Sequence, residues 1–221
     1  MDTSNATGGF RGNPGGLGSI AAAFLVLLCG ACTAIVQPHV SSAEFLVPGD
    51  KIPATVELYV SDAFRAYTVK KTDISEMKDW QFELGPVAVD AFRFALEAHF
   101  RDVDVKLGEP RYPLAAPAGF FAVVTPSFGK FAGSDPILFK FENYTAAVEF
   151  QVNVYDAAGK PLFSRQYTGK GKKQGAIGYE DPGHAAYPIA VQNAVKDAVG
   201  QFVGDLVAWV QTGEHQASAL H

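Results

Sequence analysis

The 221 residues are enough for one ordinary domain and an appendage. Hydrophobic residues make up 48% and charged residues 19%, which excludes a disordered chain. The formal net charge of −5 argues against a nucleic-acid partner, which needs a clustered basic surface, and is the wrong sign for diffuse adhesion to anionic lipid.

From Gly12 to Ala43 there is no Asp, Glu, Lys or Arg, and Ile20 to Leu28 is wholly apolar. That run is too short to span a bilayer, which takes ~20 residues. It has the length of a signal-peptide core, with Arg11 as a weak positive flank. Next comes Leu28-Cys29-Gly30-Ala31-Cys32, which contains the only two cysteines of the chain. A redox CxxC would sit between a strand and a helix of a folded domain, and a zinc site would need two further ligands nearby. Two small residues before a cysteine resemble the lipobox of bacterial lipoproteins. Cys29 stands where that pattern usually has Leu. The resemblance implies cleavage after Ala31, with Cys32 as the acylated first residue of the mature chain. Thr33 follows in place of the Asp that retains such proteins in the inner membrane, which implies outer-membrane sorting. The alternative is an uncleaved anchor from Leu17 to Val36.

Residues 32–53 read as a tether, with Pro38, Pro48 and Pro53 and no period. Thr55 to Val60 alternates as a half-buried strand. Residues 61–85 read as a loop or irregular hairpin. Pro86 suits a helix start, and Phe92, Leu96 and Phe100 space an amphipathic helix to about Arg101. Val103–Leu107 alternates again, and a strand–helix–strand order predicts parallel pairing. Further strands are expected near Phe120–Thr125, over Thr145–Asp156, and from Pro161 after a turn at Gly159. The last helix is expected over about 185–211, with Ile189, Val195, Val199, Phe202, Leu206 and Val210 inward. The whole reads as an α+β, two-layer domain over 54–211. Its mixed, mostly antiparallel sheet of four to six strands carries two amphipathic helices on one face. Residues 212–221 read as a disordered polar tail.

Few residues stand out chemically. Lys170, Lys172 and Lys173 lie in a GKGKK run that lacks the phosphate-loop ending and the following helix. They read as a solvated strand end or as contacts to an anionic partner such as a lipid headgroup or polysaccharide. Glu180, Asp181 and His184 gather in a stretch that reads as a helix lead-in, the sharper reading being a metal or binding loop. His99 closes the first helix, where a cation suits the dipole. Phe120, Phe121, Phe128, Phe131, Phe139, Phe141 and Tyr144 crowd a segment rich in Gly and Pro. Phe128 and Phe131 are placed in a loop, either as a small satellite cluster or as an exposed patch for a partner. No nucleophile–base pair, metal set or cofactor motif is read, so no enzyme and no cofactor is expected.

The stretches VELYVSD, AVDAFRFALEAHF, YTAAVEFQVNVYDAAGK and AVQNAVKDAVGQFVGDL, behind a lipobox, resemble small Gram-negative envelope lipoproteins of the YajG type. The lipoprotein of lipopolysaccharide assembly is similar in element order. The resemblance implies a non-catalytic accessory or adaptor in envelope assembly or transport. It would sit on the periplasmic face of the outer membrane, held by its N-terminal lipid beside an envelope protein partner. The alternative is a carbohydrate-binding or hydrolytic module using residues 179–188.

Overall fold

The computed structural model describes residues 33–73, 78–115, 121–134, 143–174 and 182–212. In chain order they form β1 (Thr33–Val36), a 3-10 turn (Ser42–Phe45), β2 (Ile52–Val60), α1 (Asp62–Arg65), β3 (Thr68–Asp73) and β4 (Lys78–Glu83). There follow α2 (Leu84–His99), β5 (Phe100–Leu107), β6 (Phe121–Ser134), β7 (Asn143–Tyr155), β8 (Pro161–Gln174) and α3 (Pro182–Thr212). The main sheet runs β5-β2-β6-β7-β8 and a smaller one runs β1-β4-β3. The pairs β2–β5, β2–β6 and β1–β4 are parallel; β3–β4, β6–β7 and β7–β8 are antiparallel.

The alternation in β2 does what its period dictates. Val56, Leu58 and Val60 are buried, while Glu57 and Tyr59 face the other side. β2, α2 and β5 form the expected parallel unit. α2 starts two residues before Pro86, and the proline is accommodated in its first turn. α2 packs beside α3, α2 against β2 and β5, α3 against β7 and β8, so both helices share one face of the sheet. Between them Phe92, Phe150, Phe202 and Leu96 are fully buried. The two-layer α+β arrangement follows from burying one stripe of each helix on one face of the sheet.

α3 sits closer to β8 than its large apolar residues alone would allow. A Cβ on Gly169 would overlap the Ala194 carbonyl, and one on Gly171 would overlap that of Ala190. The buried stripe of α3 is therefore partly alanine, with Ala190, Ala194 and Ala198 all fully buried and Ile189 only partly so.

Two expectations are corrected. Residues 33–45 are not a slack tether. β1 pairs with β4, and Val36 and Val40 are 7% and 1% exposed. Burial alternates over Val36, Pro38 and Val40. Glu44 closes the segment onto α3 through Lys196 (2.6 Å) and Gln192 (3.0 Å to each oxygen). Burial acts to raise the Glu44 pKa, but the bonds from Lys196, Gln192 and the Ser41 backbone outweigh it and hold the carboxyl below its ordinary value. Among the described residues the core thus already includes Val36 and Val40, ahead of residue 54. Because Thr33–Val36 is a strand, a helical span from Leu17 to Val36 would lose its last four residues. Among the described residues no helix is long and apolar enough to cross a membrane.

The second correction concerns β6, which continues as a strand to Ser134 instead of breaking into a loop after Thr125. Pro126 is tolerated because the pairing with β2 ends at Val124, leaving β7 as the neighbour there. The register shifts between Phe128 and Phe131, where Gly129 and Lys130 form a bulge.

Candidate functional site

The long strands β6, β7 and β8 build a distal end of the sheet, whose helix-side face is covered by the start of α3, with Ala190 against Gly171 and Tyr187 against Gly133. On the helix-side face of that end lie Phe128, Phe131, Val148, Ala146 and Tyr144. Phe128 is stacked on Tyr67 at 4.0 Å and on Phe64 at 4.7 Å, with Phe150 at 4.9 Å. Phe131 is half-buried 5.9 Å from Phe82. Both rings are thus engaged with the core from a strand, whereas a Gly/Pro loop was expected. Phe121 has no described side chain, and Phe120, Phe139 and Phe141 lie outside the described residues.

These contacts fix the direction of the small sheet. Tyr67 meets Phe128; Phe82, which pairs with Val69, meets Phe131. The β3–β4 hairpin therefore runs alongside β6 toward the same distal end. Thr33 and Thr72 both pair with Asp79, beyond Phe82, so β1 begins at that end as well. Cys32 lies outside the described residues; in the sequence it is the residue before Thr33.

The opposite face of the distal end is flat and lined by small residues. Ala147 pairs with Ala132 on one side and Lys170 on the other, and Thr145 pairs with Lys172. Together they line a shallow concavity of about 440 Å³ with an alanine and threonine floor and a lysine rim. Lys170, Lys172 and Lys173 are exposed. Lys130 is exposed on the bulge, and Glu149 lies one row back over Gly129. The floor residues were not legible as a site; the only signal was the run of small residues at the start of β7.

The outer edge of β8 is closed by a ladder from α3. Asn193 donates to the Lys172 carbonyl (3.3 Å), the Lys170 amide donates to Asp197 (2.9 Å), and Gln201 donates to the Thr168 carbonyl (3.2 Å). Asp205 then accepts from Arg165 (2.8 Å) and from the Tyr167 hydroxyl (3.1 Å). Burial and then the Asp205 charge push the Tyr167 pKa strongly up. The periods match: four helical residues rise about 6 Å and two strand residues about 6.6 Å.

Over the central rows of the same open face, Gln151 donates to Ser164 (2.8 Å) and Ser164 to Asn153 (2.6 Å). The 108–115 segment crosses nearby, tied by the Leu114 amide to Ala157 (2.8 Å). It seats Tyr112 over Gly159, where a Cβ would strike the ring. Burial, then the neighbouring Tyr155, pushes the Tyr112 phenol up to about 12.

Of the other sequence candidates, Glu180 and Asp181 lie outside the described residues. His184 falls in the first turn of α3, and nothing is described of its side chain. Among the described residues no group of three metal-ligating side chains comes together. His99 behaves opposite to the dipole expectation, because burial lowers its pKa.

The fold and the site define a two-layer α+β domain with a lysine-rimmed patch at the end of the sheet where β1 begins. No family model and no curated protein matches the chain. Solved structures similar to it include a DUF330 protein of Xanthomonas campestris (13% identity, 84% of this chain and 99% of that one, TM-score 0.47). Others are the uncharacterized lipoprotein B of Nitrosomonas europaea (14%, 77% and 96%, TM-score 0.44) and a minor lipoprotein of Acinetobacter baumannii (12%, 72% and 94%, TM-score 0.41). At these identities and scores no function is carried from them to this chain.

Proposed function

We propose that the chain is a lipid-anchored envelope lipoprotein with a non-catalytic accessory role, attached through Cys32 to the periplasmic face of the outer membrane. One observation carries the reading. The lipobox-like Leu28–Cys32 ends one residue before a strand that is paired into the fold. Cleavage before Cys32 would leave every described residue in the mature chain. The accessory role is supported by how the polar side chains are used: the row from Asn193 to Asp205 caps a strand edge, and Gln151, Ser164 and Asn153 bond one another. An anchored chain carries two or more acyl groups, enough for stable attachment where one gives marginal binding.

Radiolabelled palmitate tests the reading. The wild-type chain incorporates label and is shortened, and Cys32→Ser abolishes both. Label that persists in that variant, or moves to Cys29, overturns the assignment.

A further inference from the structure

We propose that the domain rests on the bilayer through the distal end of its sheet, with Lys170 and Lys172 receiving the phosphate of an acidic phospholipid headgroup. The lipid belongs to the leaflet that holds the acyl chains of Cys32. The proposal rests on the anchor reading above and adds an orientation and a ligand class to it.

Three observations converge. First, there is no slack between anchor and domain: Thr33 is already paired to Asp79, and Val36, Val40 and Glu44 fix the following residues. A flexible linker would let the domain tumble; a strand that starts at residue 33 does not. Second, Thr33 lies at the distal end of the sheet, since the β3–β4 hairpin beside it runs along β6 through the Tyr67–Phe128 and Phe82–Phe131 contacts. Third, that end carries Lys170 and Lys172 around a shallow concavity of about 440 Å³ floored by Ala132, Thr145 and Ala147. Small side chains let a headgroup approach the sheet, and the ammonium groups suit its phosphate as point charges. Lys130 and Lys173 add charge at the same end, against Glu149 one row back. Each lysine at an acidic bilayer surface favours binding ~fivefold. Ile35, 62% exposed two residues after Thr33, gives the same end an apolar contact. The chain's net charge opposes adhesion; the placement of these lysines works against that average.

The test uses the mature acylated chain in vesicles of phosphatidylethanolamine with phosphatidylglycerol, doped with a lipid bearing a headgroup nitroxide. Acylated Cys32 is the only native cysteine left after cleavage. A fluorophore can therefore be placed through Gln174→Cys at the distal end or through Ala158→Cys in the β7–β8 turn, about 43 Å of strand away. The Gln174→Cys label is expected to be quenched several-fold more than the Ala158→Cys label. That difference should collapse in Lys170→Glu/Lys172→Glu, and in phosphatidylcholine vesicles. Lys170→Gln/Lys172→Gln serves if the charge reversal lowers the melting midpoint. Equal quenching at both labels overturns the orientation. A difference that survives the lysine replacements overturns the headgroup assignment. A wild-type chain that takes up no palmitate and stays off the vesicles overturns the anchor reading instead.

Discussion

Phe128 shows how one side chain can be misplaced by its neighbours in sequence. Gly129 and Pro126 argue for a loop, yet the ring is held among Tyr67, Phe64 and Phe150. Phe128→Ala should cost toward the lower end of ~3–5 kcal/mol, because the ring is half-buried. Urea midpoints of the folded chain check this, and a loss within the ~0.5 kcal/mol usual for surface changes would contradict the stacking. His99 carries a pH signature. Its folded pKa lies below the ordinary 6.5, so the unfolded chain takes up the proton first. Stability should be full above 6.5 and fall as pH drops below it, until the folded imidazole also protonates. His99→Gln should flatten that part of the curve. Gly169 makes a steric claim: Gly169→Ala forces the strand away from the Ala194 carbonyl and should cost ~1–3 kcal/mol, despite the alanine's better chain entropy.

At the scale of elements, the parts with a long unbroken period were readable in advance. β7 alternates over its whole length, α2 keeps its helical spacing, and Asp156 caps the turn to β8 by accepting from Ala158 and Lys160. What escaped was set by partners distant in sequence. β1 has four residues, too few to show a period, and is a strand only because β4 lies beside it. The distal half of β6 was hidden by its glycines, one of which is fixed by Tyr187, whose hydroxyl fills the place of a Cβ at Gly133. The alanines of α3 became core because two glycines in β8 let the helix in. The lysines were singled out from sequence, but the floor between them required the β6–β7–β8 register. The α3 ladder makes a direct prediction: Asp197→Ala should sharply accelerate hydrogen exchange at the Lys170 amide, whereas Asp197→Asn, which keeps an acceptor, should do so much less. Unchanged exchange in Asp197→Ala would mean that the helix does not protect this edge.

For the whole molecule, Glu44 ties the N-terminal segment to the last helix and should confer a distinct acid sensitivity. Its folded carboxyl titrates below 4.5, so its contribution is present above that value and is lost as pH falls through the folded pKa. Denaturation midpoints between neutral and acid pH should fall less steeply in Glu44→Gln, from a lower neutral starting point. A parallel curve would remove Glu44 as the source. Inserting ten Gly and Ser residues after Cys32, with a root-mean-square reach of about 17 Å, should leave the melting midpoint alone and erase the difference between distal and turn labels on vesicles.

β1 also decides how the domain bears a mechanical load. Tension applied at residue 32 enters the fold along the axis of a strand that runs parallel to β4, so the hydrogen bonds of all four residues are strained in shear together instead of opening one at a time. Behind them Val36 and Val40 must leave the core, and the grip of Glu44 on Lys196 must part, before the chain pulls on β2 directly. β1 and the 3-10 turn would act as a sacrificial catch: a pull on the chain ahead of Thr33 would strip them first and spare the five-stranded sheet.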